Sequence, residues 1–212
     1  LLNFLKRQSV SFRKMRHRTK NLYLKKEDNV MANYTEKIIM QTFEEMLEEF
    51  PFGKITVSAL VSRCEISSNT FYYHFKDIFD LLESWALQRF ESYQKDVASI
   101  DGWDRLKFLL HNIQNKSKTT RHIFNSVSRE WMERFVFTTV EDMFYEYIKN
   151  HSTEATISDK EIKKISAFYC YAMTGYILKF IWSDMKSDID TEVDEIKPIF
   201  DDVLEFVQRK IS

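Results

Sequence analysis

The chain has only three glycines and two prolines in 212 residues. So few turn residues cannot punctuate a sheet-rich fold of many short strands, and they favour long helices joined by short loops. Eighteen Phe, ten Tyr and four Trp supply ample apolar surface to bury on such helices. The expectation is an all-α protein of about nine helices.

Charge is unevenly placed. Residues 1–30 carry nine cations (Lys6, Arg7, Arg13, Lys14, Arg16, Arg18, Lys20, Lys25 and Lys26) against Glu27 and Asp28. The formal net charge is −1, so the rest of the chain is acidic. Residues 1–30 show no amphipathic period, whereas strong helical patterning follows directly after Met31. Three readings stand for this leader: an over-long gene start with the natural chain beginning at Met31, a basic arm that touches phosphates, and an Arg-rich organelle presequence. No apolar run reaches the ~18–20 residues that span a bilayer, and no secretory apolar core opens the chain. A cytoplasmic protein with no membrane partner is expected. Cys64 and Cys170 form no CxxC pair, so no zinc cluster or redox motif is expected.

Helical spacing begins with Thr35 as a candidate N-cap. Ile38, Ile39, Thr42, Phe43, Met46, Leu47 and Phe50 follow on one face, with Glu44, Glu45, Glu48 and Glu49 on a solvated face. Pro51 and Gly53 end this helix. Thr56 caps a second helix carrying Val57, Leu60, Val61 and Cys64. After a break at Glu65-Ile66, Ser67 caps a third, to about Phe75. Asp77 caps a fourth, with Asp80 in its first turn. Further helices are expected near 103–116, 120–127, 129–150, 158–183 and 191–210.

Three short helices with a tight turn between the second and third have the form of a helix-turn-helix. On the third, Ile66, Phe71 and Phe75 can face inward. Ser68, Asn69, Tyr72, Tyr73 and Lys76 fall at i, i+1, i+4, i+5 and i+8 on the opposite side, flanked by Thr70 and His74. Hydroxyls, an amide and a cation on one face suit phosphate oxygens and base edges.

The run Ile55–Asp77 resembles the signature of the TetR family. Thr56 starts helix 2, Ile66-Ser67 opens the recognition helix, and Thr70-Phe71-Tyr72-Tyr73-His74-Phe75 closes it, followed by Leu81-Leu82. The resemblance covers about 34–82. It implies a DNA-binding transcriptional regulator, by family habit a repressor, acting on double-stranded DNA at a palindromic operator. Thr56, Ser67, Ser68, Asn69, Thr70, Tyr72, Tyr73, His74 and Lys76 are the candidate DNA-binding residues. The form Asn69–Asp77 is similar to the subgroup that includes dihydroxyacetone-kinase regulators, as is the aromatic stretch 168–174 before Gly175 and Phe180. Two positions depart from the family pattern. The usual turn Gly is Glu65, and a position that often holds a phosphate-binding Lys is Ile78. Residues 31–82 also carry Lys37, Lys54, Arg63 and Lys76 against eight carboxylates, a poor balance for a surface that must meet phosphates.

The expected organisation is a leader at 1–30, a helix-turn-helix domain at 31–82 and a helical regulatory and dimerisation domain at 83–212. The last two helices carry broad apolar stripes. One holds Ile165, Phe168, Tyr169, Ala172, Met173, Tyr176, Phe180 and Trp182, and the other Ile196, Ile199, Phe200, Val203, Leu204, Phe206 and Val207. The resemblance implies that these helices pair with their copies in a homodimer, and that a small-molecule effector binds among aromatics of the second domain. Enzyme chemistry finds no carrier. Gly53, Gly102 and Gly175 make no P-loop or dinucleotide fingerprint, HExxH and GxSxG are absent, and His111, His122 and His151 stand alone. No cofactor and no metal is expected. The alternative function is an interaction protein of the same fold that works through protein contacts, with weak DNA binding.

Overall fold

The computed structural model describes residues 30–100, 102–151 and 158–211; the side chains of 30–33, of 203–211 and of several positions in 138–151 lie outside that description. The leader, and the stripe positions Val203, Leu204, Phe206 and Val207, therefore fall outside the described parts. Among the described residues there are nine α-helices and no strand. The chain divides into two compact units, one through Glu91 and one from Ser92.

In the first unit, α1 is Val30–Glu49. Thr35 is not its cap: the helix starts a full turn earlier, because residues 30–34 contain no Pro or Gly to stop it. Ile39, Met40, Phe43, Met46 and Leu47 are buried. Phe50, expected on that face, is exposed. It precedes Pro51, whose ring disfavours helical backbone at the residue before it, and the chain leaves the helix there into a 3₁₀ turn at Phe52–Lys54. α2 is Val57–Arg63 and α3 is Ser68–His74. α4 is Ile78–Asp96 and continues into the second unit. Leu60, Val61, Phe71, Phe75, Leu81 and Leu82 close the core around Phe43, whose ring meets Phe52 and Trp85 edge-on at 6.2 and 6.3 Å.

The glutamates of α1 do more than face water. Glu49 accepts two hydrogen bonds from the Arg63 guanidinium at 2.8 and 2.6 Å, with Glu45 at 3.9 Å. Glu44 pairs with Arg89 of α4. These clamps fix α1 to its neighbours.

In the second unit, α5 is Gly102–Asn115, α6 Ser117–Phe124, α7 Arg129–His151, α8 Asp159–Trp182 and α9 Ile189–Ile211. α6 begins three residues before the expected Thr120, since only Lys116 interrupts the helical backbone after α5. α7 packs on α8, and α5 on α9. Lys107 of α5 meets Asp194 of α9 at 2.7 Å. Ser158 and Glu161 form a reciprocal capping box at the start of α8. Cys170 donates to the Phe137 carbonyl at 3.2 Å, and burial pushes its thiol up to about 12. α8 ends with Asp184 and Met185 both in left-handed backbone, at φ 60° and 56°. The Met185 N–H closes back onto the Phe180 carbonyl at 3.0 Å.

Candidate nucleic-acid interface

The second and third helices are set by their caps. Thr56 has extended backbone, and its hydroxyl accepts from the Ala59 N–H at 3.1 Å. Ser67 repeats this on α3, accepting from the Thr70 N–H at 3.1 Å. Its Oγ also lies 2.9 Å from the Thr70 hydroxyl. Thr56, Ser67 and Thr70 thus spend their oxygens on helix starts, which fixes where α2 and α3 begin.

The turn between them is a Schellman closure. The Ile66 N–H reaches the Val61 carbonyl at 3.0 Å and the Glu65 N–H the Ser62 carbonyl at 3.3 Å. This geometry puts Glu65 at φ 55°. The family's usual Gly would take that conformation without a Cβ clash; Glu takes it at a cost of roughly 1–2 kcal/mol.

α3 presents two sides. Phe71 and Phe75 are buried. Ser68 and Asn69 are exposed, with Tyr72 56% and Tyr73 74% exposed, so four of the five residues expected to face outward share one open helical surface. Lys76 is exposed too, but helical spacing does not place it. The helix ends at His74, and Phe75 turns extended. Lys76 is held instead by the start of α4, its N–H donating to Asp80 Oδ2 at 2.8 Å. Asp77 Oδ1 accepts from the Phe79 and Asp80 N–H groups at 2.9 Å each, so the Asp77 cap and the acidic first turn fall where spacing put them.

His74 departs from the expected exposed flank. Its side chain is only 6% exposed, and Nδ1 lies 3.8 Å from Glu36 Oε2 on α1. The imidazole is buried at the end of α3 beside Glu36 of α1, an ion pair when protonated, which a single helix's spacing cannot reveal. Arg63, one of the head's few cations, is likewise committed to Glu49 and Glu45. Cys64 beside it is half-buried, and burial pushes its thiol above the usual value. Among the described residues no group of His, Cys, Asp and Glu could hold a metal ion. No described helix is long and apolar enough to cross a membrane.

A short capped helix with an open polar and aromatic face, following a second helix through a tight turn, defines a helix-turn-helix regulator. The comparisons narrow this. Residues 39–84 match the family described as bacterial regulatory proteins, tetR family, and residues 103–202 match a transcriptional regulator C-terminal region of the same family. The chain belongs to the TetR family and is a DNA-binding transcriptional regulator of that type. Two solved structures share the fold. The dihydroxyacetone kinase operon activator DhaS is 21% identical with a TM-score of 0.61, covering 81% of this chain and 97% of its own. NalD, the secondary repressor of the MexAB-OprM multidrug efflux pump in Pseudomonas aeruginosa, is 14% identical with a TM-score of 0.50, covering 80% and 96%. No curated protein matches the chain.

Proposed function

We propose that the protein is a homodimeric repressor whose two α3 helices read the half-sites of a palindromic operator in successive major grooves. Ser68, Asn69 and Tyr73 lie nearest base edges, and Tyr72 and Lys76 hold phosphates. The observation that carries this is the exposure of Tyr72 and Tyr73 beside Ser68 and Asn69 while Phe71 and Phe75 anchor the helix. A purely structural helix rarely leaves two adjacent tyrosines open to water. Thr56, Ser67 and Thr70 act by placing the helices, and His74 by bracing α3 on α1. Titration of the purified chain with its own upstream DNA, against random DNA and at two salt concentrations, tests the reading: preference for the upstream fragment is expected.

The dimer part is supported by α8. Phe168 and Trp182 are 64% and 49% exposed, and Tyr171 is 49% exposed. Ala172, Gly175 and Lys179 are exposed as well. Positions 168, 172, 175, 179 and 182 follow the spacing of a helix–helix seam. Gly175 sits inside the helix, where Gly costs about 1 kcal/mol relative to Ala, and a Cβ added there would meet nothing within 4 Å. No described neighbour requires a glycine there, and the open surface leaves room for the close approach of a helix from a second copy. Ile199 on α9 is 62% exposed. Release by a small molecule bound in the second unit rests on the family alone.

One observation favours a second reading, a TetR-fold protein acting through protein contacts. The head is acidic, two of its cations are tied to glutamates, and Ile78 opens α4 where a phosphate-binding Lys often stands. Equal, weak affinity for upstream and random DNA in the same titration would support it.

A further inference from the structure

We propose that Lys54, on the 3₁₀ turn before α2, is a second phosphate-binding residue of the helix-turn-helix. It holds the DNA backbone where α2 crosses it, while Lys76 holds it beyond the far end of α3. This rests on the DNA-binding reading above and adds a contact which that reading does not contain.

The case begins with the supply of cations. From Val30 to Glu91 they are Lys37, Lys54, Arg63, Lys76 and Arg89. Arg63 is clamped by Glu49 at 2.6 Å, and Arg89 is paired with Glu44. Among the described residues no carboxylate pairs with Lys54 or Lys76. Lys37 lies on α1, outside the motif. The motif itself is thus bracketed by two uncommitted lysines, one just before α2 and one just after α3.

In a helix-turn-helix the recognition helix enters the major groove and the helix before it crosses the phosphate backbone. α2 brings no free cation to that crossing. Its exposed Ser58, Ala59 and Ser62 are neutral, and Arg63 is committed to glutamates. The start of α4 offers no anion site either. Asp77 accepts from the Phe79 and Asp80 N–H groups and Asp80 from that of Lys76, so these donors are spent and two carboxylates repel a phosphate.

Lys54 stands two residues before the Thr56 cap of α2, on backbone that is held from both sides. Phe52 and Ile55 are buried, and the Phe52 ring meets Phe79 of α4 edge-on at 5.0 Å. The Lys54 N–H donates to the Pro51 carbonyl at 2.8 Å, and the Ile55 N–H to the Phe52 carbonyl at 2.9 Å. Only the Lys54 side chain is open to water. Binding a phosphate there orders one side chain and no loop, which keeps the entropic cost small. A lysine binds phosphate as a point charge and demands no fixed approach angle.

The test uses the full chain with Lys54→Gln, Lys54→Arg, Lys76→Gln and the Lys54→Gln, Lys76→Gln double variant. Affinity for the upstream fragment and for random DNA is measured from about 50 to 200 mM salt. Each neutralised phosphate contributes about 0.9 to the slope of log K against log salt. Lys54→Gln should therefore show a slope shallower by about one unit on both DNAs, with its deficit against wild type narrowing roughly threefold across that salt range. Its melting temperature should match wild type, and Lys54→Arg should keep the wild-type slope. The double variant should lose about two units. An unchanged slope in Lys54→Gln overturns the proposal, as does a double variant no shallower than Lys76→Gln alone, since the two lysines would then share one phosphate. A wild type that does not prefer its upstream DNA, yet loses slope in Lys54→Gln, sinks the α3 reading and leaves the Lys54 contact standing. Absence of binding to either DNA overturns both.

Discussion

Glu65 is the one place where the recognition motif works against its own backbone, and replacing it with Gly should stabilise the protein. At φ 55° an L-residue carries roughly 1–2 kcal/mol of Cβ–carbonyl strain. Gly removes this but loses more chain entropy on folding, about 0.5–1 kcal/mol. The net gain for Glu65→Gly therefore lies between about 0 and 1.5 kcal/mol, centred at ~0.75 kcal/mol. For a chain of this length 1 kcal/mol corresponds to roughly 2–4 °C in Tm. Glu65→Ala removes the same carboxylate but keeps the Cβ, so it isolates charge from backbone. Chemical unfolding should move the Gly midpoint upward with an unchanged denaturant slope and leave the Ala midpoint at or below wild type. Both variants should bind DNA slightly more tightly at low salt, since both remove a negative charge from the head. If Ala stabilises as much as Gly, the strain argument is wrong and the gain is electrostatic.

Further predictions concern separate parts of the molecule. Phe168→Glu with Ile199→Glu should yield monomers by light scattering with little loss of helix; a dimer that survives both would contradict the proposed pairing through α8 and α9. Met173 is the poorer target, since it is buried within its own chain and a charge there should unfold the protein. Lys76→Ala should weaken binding to all DNA sequences and make the salt slope shallower by about one unit; an unaltered slope removes Lys76 from the phosphate contacts. Burial pushes the Tyr93 and Tyr176 phenols up to about 12 from an ordinary 10.0. Their folded values are raised, so their contribution to stability is fully present below pH 10 and is lost as pH rises through about 12. Tyr93→Phe should flatten part of that alkaline fall in melting temperature, and an identical profile would assign the loss elsewhere.

The legible parts of the fold were those coded locally. Thr56, Ser67 and Asp77 announce their helices because a short oxygen-bearing side chain needs only the next two or three N–H groups to act. The inward Phe71 and Phe75 and the outward Tyr72 and Tyr73 follow from helical spacing on a short element with one buried side. The departures are non-local. His74 has the azimuth of an exposed flank, but Glu36, 38 positions away, sets its direction. Arg63 looks like a free cation in sequence, and only the packing of α2 on α1 gives it to Glu49. Thr35 has the right chemistry for a cap, but residues 30–34 hold no Pro or Gly and are already helical. Gly175 is visible as a residue type in any reading, yet its meaning depends on the open space around it.

The central claim, that the open face of α3 reads sequence, is tested most directly by the ratio of affinities for upstream and random DNA in wild type, Asn69→Ala and Tyr73→Ala. Specific recognition predicts a wild-type ratio of at least ~10³. Each substitution should cut that ratio by roughly 1–3 kcal/mol, about fivefold to 150-fold, with the random-DNA affinity unchanged. A ratio near one in wild type, or one that neither substitution alters, would contradict the account.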